Sequence, residues 1–168
     1  MSVHVEFVLR AVVIGAVATL AMDAWALLLK RFGIPSLDFA MLGRWLGNLP
    51  RGQLVHQNIG QARPVHGERL IGWCAHYAIG VTFAVLLLAT FGLQWARMPS
   101  VAPALAIGLA TVAAPLLVLQ PALGAGIASS KTPKPVFNSI NSVFTHTVYG
   151  LGLYFAALAT ASILPTGQ

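Results

Sequence analysis

The chain has 168 residues, a length typical of one domain, and carries a net charge of +6. Hydrophobic residues make up 57% of it and charged residues only 8%, whereas a soluble domain carries roughly a quarter charged residues. So few charges argue against a surface that faces water, and their scatter along the chain argues against nucleic-acid binding. One cysteine, Cys74, excludes an intrachain disulfide and a thiolate metal cluster. The expected partner of most side chains is therefore the lipid bilayer.

Four segments are long and apolar enough to cross a membrane, which takes about 20 residues in a helix. They span residues 5–29, 70–93, 101–123 and 139–164, approximately. Because each run is continuous, without alternation at period two, helices are predicted rather than strands. The first run exceeds the apolar core of a signal peptide, at most about 15 residues, so a retained membrane helix is expected. The predicted fold is all-α, an integral membrane four-helix bundle.

The link between the first two membrane helices contains a predicted short helix over residues 36–47. Apolar residues recur there at helical spacing: Met41, Leu42, Trp45 and Leu46. The segment therefore predicts an amphipathic helix that lies in the lipid headgroup region.

Basic residues in the links predict the orientation, because cytoplasmic links carry an excess of lysine and arginine. The first and third links and their flanks hold eight of them: Lys30, Arg31, Arg44, Arg51, Arg63, Arg69, Lys131 and Lys134. Both links are therefore expected in the cytoplasm and both termini outside. Arg10 is the exception near the outer end, where it can either snorkel to the interface or pair with Glu6 at spacing four.

Ionisable residues inside a membrane are costly, so each one is a candidate functional residue. Three qualify here: Asp23, His76 and His146. Each lies seven residues inside its predicted helix end, which is ~10 Å at 1.5 Å per residue. Gln120 approaches the same level from the third helix. Antiparallel neighbours would therefore bring these groups together.

Small residues at spacing four mark the faces where membrane helices approach closely. Such residues share a face with each candidate: Gly15 and Thr19 with Asp23, Gly72 and Gly80 with His76, and Gly150 with His146. The candidates are therefore expected to point into the bundle. Four aromatic residues are placed to wall such a site: Tyr77, Tyr149, Trp25 and Trp73.

A carboxylate and two imidazoles allow several kinds of chemistry. They could hold a divalent metal such as zinc, iron or copper, relay protons, or act as general acid and base on a lipid-soluble substrate. No spacing motif selects among these, and buried hydrogen bonds between helices could equally serve only to hold the bundle together.

The link between the third and fourth helices is a second candidate site. Its glycines and four polar residues could cradle a phosphate or a lipid headgroup: Ser129, Ser130, Lys131 and Lys134. The alternative is a flexible cytoplasmic turn whose lysines only set the orientation.

Five segments carry a resemblance to a known family: Met22-Asp23-Ala24-Trp25, Gly43-Arg44-Trp45, Gly72-Trp73-Cys74-Ala75-His76-Tyr77, Gln120-Pro121-Ala122-Leu123-Gly124 and His146-Thr147-Val148-Tyr149-Gly150. Over nearly its whole length the chain resembles a family of small bacterial inner-membrane proteins named domain of unknown function 2938. The resemblance implies a four-helix protein of the bacterial inner membrane, whose termini we expect on the periplasmic side. It implies no activity and assigns no role to any residue.

Three functions remain open on the sequence. The first is a small transport or proton/ion-handling protein that uses Asp23, His76 and His146. The second is a structural or accessory subunit, in a homo-oligomer or a larger membrane complex. The third is an intramembrane enzyme with a divalent metal at the same three residues.

Overall fold

The computed structural model describes residues 2–34 and 36–164, and all regular structure in this part of the chain is helical. The α-helices are α1 Val3–Arg31, α2 Phe39–Asn48, α3 Glu68–Arg97, α4 Val101–Thr111, α5 Gln120–Leu123 and α6 Pro135–Ile163. A π-helical segment, Ala114–Leu119, joins α4 to α5, so these three form one span, Val101–Leu123. With α1, α3 and α6, this gives four helices long and apolar enough to cross a membrane. The predicted fold class is confirmed.

Small residues set the contacts among the four spans, because a side chain at these positions would strike a neighbouring backbone. A Cβ at Gly15 would meet Val81 of α3 at 2.6 Å, and one at Gly152 would meet Ala18 of α1 at 2.8 Å. A Cβ at Gly108 would meet Gly150 at 2.7 Å. Therefore α1 packs on α3 and α6, while α4 packs on α6.

The short helix predicted over residues 36–47 is α2, Phe39–Asn48, and it packs across the start of α3. Its N-cap is Asp38, whose carboxylate accepts a hydrogen bond from the Ala40 amide at 3.0 Å. Side-chain atoms at Gly43 or Gly72 would overlap the backbone of the opposite helix, so the two helices approach as closely as backbones can.

An ion pair adds to this contact. The Arg44 guanidinium binds both carboxylate oxygens of Glu68, at 2.9 and 2.6 Å. These bonds raise the pKa of Arg44 above its ordinary value, because they favour the charged form.

A charged cluster closes the bundle at the end opposite α2. Arg10 Nε donates to Glu6 Oε1 at 2.8 Å, which confirms the pair predicted from spacing four. Arg97 at the end of α3 donates to Glu6 Oε2 at 2.6 Å. Arg10 also donates to the carbonyls of Ala96 and Leu164, at 3.4 and 3.2 Å. The cluster therefore ties α1 to the last residues of α3 and to Leu164, next to the end of α6.

Candidate functional site

The centre of the site is a hydrogen-bonded set formed by Asp23 on α1 with His76 and Tyr77 on α3. His76 Nε2 lies 3.0 Å from Asp23 Oδ1, and the Tyr77 hydroxyl donates to Asp23 Oδ2 at 2.8 Å. The contact of Gly15 with the α3 backbone brings the two helices close enough for these bonds. The structure thus brings together two of the three ionisable residues that the sequence singled out.

Aromatic rings from α2 and α3 fix the imidazole of His76. Phe39, the first residue of α2, stacks on His76 with ring centroids 4.2 Å apart and planes at 29°. Trp73 lies 4.4 Å from Phe39 and 6.0 Å from His76, measured between centroids. Because α2 reaches this position through its glycine contact with α3, the short helix is a wall of the site.

A cavity of about 520 Å³ lies beside this set and is lined by α1, α2, α3, the π-helical segment and α6. Asp23 and His76 both line it, and their side chains keep 13% and 15% of their surface exposed. Four polar residues of α6 line it as well: Asn141, Ser142, Thr145 and His146. The rest of the lining is mainly apolar, which is typical of sites for small organic ligands.

His146 lines the same cavity but makes its hydrogen bond elsewhere. Its Nδ1 lies 3.1 Å from Thr111 Oγ1 on α4, and Thr111 also donates to the Gly108 carbonyl at 2.9 Å. His146 reaches Thr111 because the face of α6 that carries it packs on α4. Gly150, one turn further along this face, contacts α4 and not α1 or α3. The spacing correctly indicated a contact face, but it did not say which helix would occupy that face.

A metal site at Asp23, His76 and His146 is not formed. Within residues 2–34 and 36–164, no group of three histidine, cysteine, aspartate or glutamate side chains is arranged to hold a metal ion. Asp23 is instead bonded to His76 and Tyr77, and His146 to Thr111. Among the described residues, the hypothesis of an intramembrane metalloenzyme therefore has no coordination site formed by three such side chains.

Of the remaining candidate residues predicted from the sequence, some line the cavity and others lie outside its lining. Tyr149 lines it and donates to the Gly80 carbonyl at 2.6 Å. Gln120 is not part of the lining, but its Nε2 donates to Oγ of the lining residue Ser142 at 3.4 Å. Trp73 contacts Phe39, while Trp25 lies outside the lining.

Two groups of site residues were not predicted. The polar residues of α6 had a usable signal, because Asn138, Asn141, Ser142 and Thr145 recur at spacing three and four and thus share a face. Phe39 and Thr111 had none, since both act through contacts between helices distant in sequence.

The link between α5 and α6 is a tightly bonded turn. Ala128 and Ser129 both adopt left-handed backbone conformations, with φ of 49° and 59°. The amides of Ser129, Ser130 and Lys131 all donate to carbonyls within the link. These three amides are therefore occupied, whereas the side chains of Ser130, Lys131 and Lys134 are exposed.

The fold and the site together define a small helical protein with four helices that are long and apolar enough to cross a membrane, and with a mainly apolar cavity bordered by several polar side chains. Residues 12–160 match the family described as "Protein of unknown function (DUF2938)", and the chain belongs to this family. No curated protein and no solved structure matches the chain. The function therefore has to be argued from the cavity and its polar side chains.

Proposed function

We propose that the chain is a small proton-linked transport protein, in which Asp23 and His76 together hold the transported proton. One observation carries this proposal: the hydrogen-bonded pair opens onto the cavity of about 520 Å³ and does not face only packed side chains. The cavity would be the compartment for a second, small-molecule ligand.

The chemistry of the pair supports this role. A carboxylate and an imidazole in hydrogen-bonding contact can share a proton and pass it on, because each group can both accept and release one. Ionisable groups inside a membrane commonly mark proton or ion pathways, because burying them without a function is costly. Stacking by Phe39 and the Tyr77 hydroxyl keep the two groups at hydrogen-bonding distance.

The charge distribution supports an orientation. The first and third links carry eight basic residues, and they adjoin the end of the bundle at which α2 lies. We place this end in the cytoplasm of a bacterial cell, following the excess of basic residues in cytoplasmic links. In this orientation both chain termini lie on the periplasmic side of the inner membrane.

Proton flux into proteoliposomes tests the proposal. Purified protein is reconstituted with the internal pH dye pyranine, and a potassium gradient with valinomycin drives protons inward. We expect wild-type protein to acidify the vesicles faster than protein-free controls, and Asp23→Asn and His76→Gln to reduce the rate to the control level. Asp38→Asn is the matched control, because Asp38 caps α2 outside the cavity lining and asparagine also caps helices. Equal rates in all four proteins would remove the proton role.

A structural or accessory role is the second candidate, favoured by one specific observation. Both carboxylate oxygens of Asp23 already have donors on α3, so the set also fastens two helices. Hydrogen bonds of this kind between membrane helices contribute about 0.6 kcal/mol on average. Under this alternative, Asp23→Asn would lower the stability of the bundle, or its association with other subunits, and would leave proton flux unchanged.

A further inference from the structure

We propose that the ligand of the cavity is a lipophilic cation, meaning an organic molecule with an apolar body and one positive charge. This inference rests on the proposed function, since it names the class of ligand that would exchange with the proton of the Asp23–His76 pair. It follows from the charge, the hydrogen bonding and the walls of the cavity.

The charge of the lining favours a positive ligand. Among the described lining residues, Asp23 is the one carboxylate, and neither a lysine nor an arginine lines the cavity. An anionic ligand such as a lipid phosphate would meet no fixed positive partner there, and its desolvation would be uncompensated. A cation would meet the carboxylate in surroundings of low polarity, where a charge pair is stronger than in water.

The Asp23 carboxylate has room for another partner. An ionised carboxylate offers about four acceptor positions, of which His76 and Tyr77 occupy one each. Its side chain keeps 13% of its surface exposed and lines the cavity. A cationic group can therefore approach the carboxylate without displacing either hydrogen bond.

The walls suit an apolar body that carries a positive charge. Four aromatic residues line the cavity, namely Phe39, Trp45, Phe83 and Tyr149. Aromatic faces attract cations when these are shielded from water. A volume of about 520 Å³ lies within the roughly 300–1,000 Å³ of pockets that hold drug-sized ligands.

Binding of the cation releases one proton, and the charges balance. Before binding, the pair holds a proton shared between the Asp23 carboxylate and the His76 imidazole. The arriving cation takes the place of this positive charge beside the carboxylate, and the proton leaves from His76 to water. The pair is then a carboxylate and a neutral imidazole, with the ligand charge in place of the proton.

The neighbours of the pair allow this exchange. The titratable groups that face it are Tyr77 from α3 and His146 and Tyr149 from α6, and none of the described lining residues of α2 or the π-helical segment is titratable. His146 is already bonded to Thr111, and Tyr149 to Gly80. Proton release is therefore expected from the Asp23–His76 pair itself.

Equilibrium binding of two ions of the same shape and opposite charge tests the inference. The probes are tetraphenylphosphonium and tetraphenylborate, titrated into the full-length protein in lipid nanodiscs at about pH 8, where an imidazole is neutral. We expect wild-type protein to bind the phosphonium, and Asp23→Asn to weaken this binding about tenfold or more, because the carboxylate supplies a charge pair in a weakly polar site. Asp38→Asn, the matched control, should bind as wild type does. Wild-type protein should bind the borate no more tightly than Asp23→Asn binds the phosphonium.

A second measurement needs no variant. In weak buffer at about pH 5–6, below the ordinary pKa of an imidazole, each bound phosphonium should release about one proton from wild-type protein, and the apparent affinity should be lower there than at pH 8. Absence of phosphonium binding, tighter binding of the borate, or binding without proton release would each overturn the inference.

The two proposals can fail separately. Proton flux that depends on Asp23, in a protein that does not bind the phosphonium, would leave the proton role in place and exclude this class of ligand. Phosphonium binding with proton release, but without proton flux even when phosphonium is supplied on the opposite side of the membrane, would support the ligand class and exclude transport.

Discussion

Two carboxylates of α1, Glu6 and Asp23, lie toward opposite ends of the bundle and differ in how completely they are enclosed. Glu6 receives hydrogen bonds from Arg10 and Arg97, and the side chains of both Glu6 and Arg10 have no exposed surface. Asp23 receives its bonds from His76 and Tyr77, and it borders a cavity.

The Glu6 cluster is enclosed within the bundle, whereas the Asp23–His76 pair borders an open space. At Glu6 the partners are guanidiniums, which stay charged at every physiological pH. At Asp23 the partner is an imidazole, which can both accept and release a proton. A carboxylate inside a membrane thus becomes a candidate functional group when its partner can titrate and space remains beside it.

The largest effect is expected at Glu6, and it tests whether that end is structural. Glu6→Gln removes the negative charge and leaves the buried guanidinium of Arg10 without its anionic partner. Breaking a buried ion pair in this way costs about 3–5 kcal/mol. Unfolding of the purified protein in detergent, followed by circular dichroism, should show this loss of stability.

The loss of stability from Glu6→Gln is compared with that from two other substitutions. Glu68→Gln affects a partly exposed pair with Arg44 and should cost less than Glu6→Gln. Asp23→Asn should cost less still, because asparagine keeps hydrogen-bonding groups at the same place. A loss of stability from Asp23→Asn as large as that from Glu6→Gln would remove the distinction between the two ends and favour the structural role for Asp23.

A smaller effect is expected where α2 crosses α3, and it tests whether α2 is part of the site. Gly72→Leu places a side chain against the Phe39 carbonyl, so α2 must move away, at a cost of about 1–3 kcal/mol. Displacement of α2 removes the ring of Phe39 from His76 and exposes the link before α3 to protease. Limited proteolysis of the protein in nanodiscs measures this displacement.

The control for this variant lies on the exposed face of the same helix. Ala78→Val adds atoms to α3 away from α2 and should leave the proteolysis pattern unchanged. If Gly72→Leu is cleaved no faster than Ala78→Val, the close contact of α2 with α3 does not hold the link in place.

The sequence predicted the four spans because lipid imposes a length and a composition that few other segments satisfy. It also predicted the Glu6–Arg10 pair, since spacing four alone brings two side chains of one helix together. The position of α2 could not be predicted. An amphipathic pattern shows that one face is apolar, but it does not distinguish lipid from another helix as the contact of that face.

Prediction of the site was limited for a similar reason. Asp23 and His76 came from the cost of ionisable groups in lipid, and the structure places them in contact. Spacing four marked the face of His146 but not its neighbour, so the bond to Thr111 was missed. The cavity also could not be predicted, because its shape depends on the π-helical segment Ala114–Leu119 and on how five elements pack together.

The smallest effect is expected at Thr111, and it tests whether His146 belongs to the Asp23 site or only to the seam between α4 and α6. Thr111→Val keeps the size of the side chain and removes the hydroxyl that lies 3.1 Å from His146 Nδ1. A hydrogen bond between membrane helices contributes about 0.6 kcal/mol, so the loss of stability should be near the limit of measurement. Because Asp23 and His76 do not contact Thr111, proton flux in the pyranine assay should keep the wild-type rate. A large loss of flux in Thr111→Val, at unchanged stability, would show instead that the orientation of His146 controls the proton, and the site would then extend from α1 and α3 to α4 and α6.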